Sequence, residues 1–170
     1  DPVPQDVVRE ILDTARHAPS GGNLQPWIVH VVSGTALEAL TAAAAAEIAR
    51  GSTGDNVPNV YPAGLWEPFR GRRSASGRDR YSALGVAEKE EAARRDLLLR
   101  NLRFFGAPVG IFFMTDSRMQ PWQWADVGML MQNVMLLARE RGLDTCPQAV
   151  WANWSATVRA LTGAPDGLTI

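Results

Sequence analysis

The residues best suited to chemistry lie together at positions 18–27, Ala-Pro-Ser-Gly-Gly-Asn-Leu-Gln-Pro-Trp. Pro19 and the Gly21-Gly22 pair end one element, and Pro26-Trp27 fixes the approach to the next. Between them a glycine-permitted turn exposes backbone amides, and Asn23 and Gln25 add side-chain amides. Amides both donate and accept, which suits a heterocycle rich in donors and acceptors. The same residues also fit an ordinary helix–turn–strand connection. Other chemistry is poorly supplied. His17 and His30, the two histidines, fall at a helix end and in a strand, a weak basis for a metal site or a triad. Cys146 precedes a proline and reads as a small core or pocket-wall residue. No Gly-x-Gly-x-x-Gly and no Gly-x-x-x-x-Gly-Lys-[Ser/Thr] is present. An enzyme with so little catalytic equipment of its own needs a cofactor to carry the reaction.

The elements that must position these residues follow from apolar spacing. Val7, Val8, Ile11, Leu12 and Ala15 form a stripe opposite Arg9, Glu10, Asp13 and Arg16, predicting a first helix that ends near His17. Residues 26–33 read as a strand, and Thr35 caps a second helix running to about Arg50. From Gly51 to Gly85 glycine, proline, serine and arginine dominate, which predicts a long irregular excursion: a substrate-facing flap or a surface loop. A charged helix over about 87–105 stops at Gly106 and Pro108, and residues 109–114 form a continuous apolar strand, central in its sheet. Gln123 to Arg141 is a long helix, apolar on nearly every face, and so buried in the core or at a subunit interface. A loop or strand over 143–148, a helix over 155–162 and a strand beginning at Leu168 complete an α+β order. The six tryptophans either fill the core or line a pocket for a planar ligand, with Trp122, Trp124, Trp151 and Trp154 close in sequence.

Bulk composition narrows the partners. The 170 residues are 46% hydrophobic and 21% charged, enough for one globular domain with a proper core. A net charge of −1 provides no basic field for nucleic acid or an anionic bilayer. No apolar run approaches the roughly 20 residues that a spanning helix needs. One cysteine and a polar, proline-broken start with no signal-peptide pattern predict a cytoplasmic protein.

Residues 19–27 resemble the Pro-Ser-x-x-Asn-x-Gln-Pro-Trp signature of the nitroreductase family, which consists of FMN-binding homodimers. Gly106-Ala107-Pro108 and the strand after it resemble the family's central strand. Asp126-Val127-Gly128-Met129 through Ala138, then Gly142 to Gln148, resemble its long core helix and the loop passing the flavin. The match runs in order along nearly the whole chain and is nearest to the branch carrying a long mid-chain insertion, here residues 51–85.

The resemblance implies a nitroreductase-like α+β fold: a central, mostly antiparallel sheet flanked by helices, with the long core helix forming the dimer. It implies an NAD(P)H-dependent oxidoreductase, with NADPH or NADH as donor, that reduces nitroaromatic or quinone-like substrates. Transfer would be two-electron and ping-pong through flavin N5, with no catalytic side chain. Pro19, Ser20, Gly21, Asn23 and Gln25 would approach the FMN, and Pro147, Gln148 and Ala149 would pass the ring edge. Asn101 and Arg103, with Arg100 competing, would reach the ring's pyrimidine side. Trp66, Phe69, Trp124 and Trp151 are candidate walls for a small aromatic substrate, and core packing is the other reading of each. The family holds the flavin phosphate with basic residues at its two chain ends, so the resemblance implies a subunit shortened at both ends, with those ligands outside residues 1–170. Two other readings stay open: the same flavoprotein fold doing flavin reduction or dehalogenation, or a non-catalytic flavin-binding protein.

Overall fold

Residues 1–55, 61–87 and 90–170 are described by a computed structural model, and they form two compact units. Parts of the expected flap (56–60) and of the charged helix (88–89) lie outside the described residues.

The first unit comprises residues 1–55 and 107–170. Its sheet has three strands in the order β1-β2-β3: Ile28–Ser33, Val109–Asp116 and Leu168–Thr169. Both pairings are antiparallel, with Val29 opposite Phe113 and Thr115 opposite Thr169. β2 is the central strand, as its unbroken apolar run predicts, because both of its faces are covered.

The side-chain alternation of the pleat sends Val29, Ile111 and Phe113 to one face, where α1 (Gln5–Ala15) and α5 (Pro121–Glu140) cover them. Ile11, Ala15 and Ala18 meet Leu130, Val134 and Ala138 there. Burying each large aliphatic side chain of this cluster contributes about 1.5–3 kcal/mol. Arg141 Nη1 donates to Glu10 Oε2 at 2.6 Å and ties the end of α5 to α1. The opposite sheet face carries Val32, Phe112 and Met114, all buried, and α2 (Gly34–Ala49) lies over β1 and β2. α2 also packs on α6 (Ser155–Thr162), which Gly163 ends in a left-handed cap. Ser33 takes the N-cap position that Thr35 was expected to fill. Among the described residues no helix is long and apolar enough to cross a membrane.

The second unit comprises residues 56–106. Here the structure corrects the irregular excursion expected over 51–85, because Phe69–Ala83 form a 15-residue helix, α3. None of its residues is buried, so it lacks the apolar stripe by which a helix is recognised in sequence. Glu67 starts it, accepting from Arg70 Nε at 2.8 Å and from the Gly71 N–H at 3.1 Å. The charged helix is shorter than expected. α4 covers Glu91–Asn101, and a separate 3-10 turn spans Phe104–Gly106. Phe104 and Phe105 both adopt left-handed backbone angles, which a continuing α-helix cannot accommodate.

Candidate functional site

The turn after α1 has an unusual backbone. Ser20 is extended, Gly21–Asn23 make one 3-10 turn, and Gly22, Asn23 and Gln25 have φ of 59°, 55° and 48°. The left-handed region costs a residue with a side chain roughly 1–2 kcal/mol, less for asparagine, whose short amide bonds locally. Conformations of this kind persist only where neighbouring contacts over-determine them, and they cluster at ligand sites. Those contacts are present. The Asn23 N–H donates to Ser20 O at 3.0 Å, and the Gln25 N–H donates to Ser20 Oγ at 3.0 Å. Gln25 Nε2 donates to Asn23 Oδ1 at 2.8 Å, which leaves one amide NH2 and one amide oxygen of the pair to face a ligand. Residues 21–25 are all exposed.

Two core residues that the sequence did not mark hold the turn from below. Thr115, fully buried on β2, donates from Oγ1 to Pro26 O at 2.6 Å. Asp126, 6% exposed on α5, accepts the Gly21 N–H on Oδ2 at 3.2 Å. The available signal for Asp126 was a lone carboxylate beside Val127 and Leu130 in an apolar helix, since a buried acid requires a donor. Replacing Thr115 with valine is expected to lower unfolding free energy by about 1–3 kcal/mol, because the buried Pro26 carbonyl loses its donor. The urea midpoint measures this, and an unchanged midpoint would show that the bond contributes nothing.

Pro147 and Ala149 are exposed and Gln148 half-buried, in an irregular segment after α5 that leads into a 3-10 turn over Val150–Trp154. Cys146 is exposed on the same segment, so it is not a core residue. Trp124 is exposed on the first turns of α5. Trp151 is 2% exposed, with its ring edge-on to Phe112 at 5.8 Å, which favours the core-packing one of its two readings.

The second unit holds the other four candidates. Trp66 and Phe69 are exposed and edge-on at 5.7 Å. The Arg72 guanidinium lies 5.9 Å from the Phe69 ring, and that of Arg73 lies 4.1 Å from the Tyr61 ring. Asn101 is the last residue of α4 and donates from Nδ2 to Leu97 O at 3.1 Å. Arg103 falls in the turn beyond the helix, not on it, and is exposed.

A strained, amide-rich turn backed by buried polar groups agrees with the motif comparison, and the family model for the nitroreductase family matches residues 1–170. The chain belongs to the nitroreductase family. Among its relatives, a chloronitrobenzene nitroreductase of Comamonas testosteroni is 37% identical over 167 residues, covering 97% of this chain and 73% of the relative. A 4-nitrobenzoate reductase of Pseudomonas putida is 35% identical over 169 residues, covering 99% and 74%. The solved structure of NfnB, an FMN- and NADPH-dependent nitroreductase from Sphigopyxis sp. strain HMH, superposes with a TM-score of 0.95 at 43% identity. That superposition covers 99% of this chain and 76% of NfnB. The α+β fold expected from the motifs is thus the nitroreductase fold, small antiparallel sheet and flanking helices included.

Proposed function

We propose that this nitroreductase family member binds FMN and uses NADPH or NADH to reduce nitroaromatic compounds, nitrobenzoates and chloronitrobenzenes among them. The observation that carries the reading is the turn 20–25, whose exposed amides and left-handed backbone are held by Ser20, Asp126 and Thr115. The residues present fit a flavin. Asn23 and Gln25 offer a donor and an acceptor side by side, and Pro19, Ser20 and Gly21 are small or rigid enough for a planar ring to approach closely. Pro147, Gln148 and Ala149 are read as the segment along the ring edge, and Asn101 and Arg103 as donors to its pyrimidine side. When bound, FMN supplies two-electron hydride chemistry at N5. The protein orients the ring, presents amide dipoles to it and excludes water, so no side chain acts as acid or base. Trp66, Phe69 and Trp124 are kept as candidate substrate walls, with residues 51–85 as the flap that carries the first two.

Two copies complete the enzyme in this reading. Ala125, Gly128, Met129, Gln132 and Leu136 are exposed along one face of α5, and a Cβ added at Gly128 would meet no atom within 4 Å. A helix otherwise buried in the core leaves such a face open for a second α5, and the lone cysteine fits a cytoplasmic home.

The purified protein is expected to be yellow and to bleach anaerobically on NADPH or NADH. Initial rates against a nitroaromatic acceptor should show parallel double-reciprocal lines, since donor and acceptor use one site in turn. A colourless protein that takes up no FMN would refute the reading, and intersecting lines would refute the single shared site.

A further inference from the structure

We propose that Asp126 is the positioning residue of the flavin turn: its buried carboxylate, fixed on α5, holds the Ser20–Gly21 peptide and through it the placement of Asn23. The inference rests on the reading of residues 19–25 as a flavin contact.

Asp126 cannot move far. Val127, Leu130, Val134 and Ala138, the residues that follow it on the same helix, are buried in the core, so its backbone is fixed by packing. A carboxylate out of water requires a donor, and the Gly21 N–H, 105 positions away in sequence, meets Oδ2 at 3.2 Å. The bonded peptide group also acts at its other end. Ser20 O accepts the Asn23 N–H at 3.0 Å, so the group that donates to Asp126 accepts from Asn23. Hydrogen bonds sharing one peptide unit polarise each other in the same direction, so the anion strengthens the bond that sets Asn23 in its left-handed conformation. Asn23 then places its side chain against Gln25. The chain of contacts runs from the core helix to the amide pair without involving a residue of the second unit.

Positioning and simple structural support predict different results. Asp126→Leu is close in size and cannot accept, and because Gly21 is exposed, water can take over its N–H in the variant, so little stability is lost. Asp126→Asn keeps an oxygen that can accept the Gly21 N–H. FMN dissociation constants from flavin fluorescence quenching and melting temperatures of the flavin-free protein should be measured for both, and for Asn23→Ala alone and combined. The Leu variant is expected to melt near wild type and bind FMN about tenfold more weakly, about 1.4 kcal/mol. The Asn variant should stay within about threefold of wild type. The Leu change should add little on top of Asn23→Ala, because both act through one turn. A lowered melting temperature with unchanged FMN affinity, additivity with Asn23→Ala, or an Asn variant as weak as Leu would each overturn the proposal. If the Leu variant does not fold, Asp126→Ala serves in its place on the same terms. FMN binding unaffected by Asn23→Ala would instead refute the reading of the turn itself.

Discussion

Replacing Trp151 with alanine is expected to destabilise the protein by about 3–5 kcal/mol, the range for removing a large aromatic from a packed core. The indole is 2% exposed and its ring meets Phe112 edge-on at 5.8 Å, on the sheet face that α2 covers. Phe112 in turn pairs with His30 across β1 and β2, so the cavity would open beside the central strand. Total stabilities of domains this size are only about 5–15 kcal/mol, and the loss would be plain in a urea or thermal unfolding curve. Trp151→Phe retains an aromatic edge contact and should cost less. A Trp151→Ala variant with an unshifted midpoint and a raised KM for the nitroaromatic substrate would return Trp151 to the substrate wall.

Placing glutamate at both Met129 and Leu136 is expected to convert the proposed dimer into monomers. The two side chains, 39% and 60% exposed, lie seven residues apart on the open face of α5, with Gln132 between them and Gly128 next to Met129. Obligate interfaces bury roughly 2,000–5,000 Å² and tolerate unpaired charge at their centre badly. Each substitution occurs twice in a two-fold dimer, so a loss of at least about 4 kcal/mol follows, about a thousandfold in dissociation constant. Light scattering at micromolar concentration reads the outcome. A wild-type monomer would remove the dimer from the proposed function, and a variant that stays dimeric would move the interface to another face.

The contrast between α5 and α3 shows what could be read without coordinates. α5 was visible because apolar residues crowd its sequence and glycine ends it, but the sequence could not say which face meets the core. The structure buries Val127, Leu130, Val134 and Ala138 and leaves Met129 and Leu136 open. α3 was invisible because no stripe marks a helix that buries nothing. Its arginines are good helix formers, but propensity without periodicity is a weak signal beside two glycines and a preceding proline.

The sequence by itself determined the family, the order of the elements other than α3, the central place of β2 and the position of the amide turn. Each of these rests on local information: residue spacing along an element, turn chemistry, and a motif contiguous from Pro19 to Trp27. Only the tertiary structure decided that Trp151 is core, that Asn23 and Gln25 sit left-handed, and that Asp126 and Thr115 hold the turn. Those facts depend on pairs such as Gly21 with Asp126 and Pro26 with Thr115, 105 and 89 positions apart. Contacts at that separation form when packing brings α5 and β2 against the chain's first 30 residues, and one sequence alone carries no periodic trace of them.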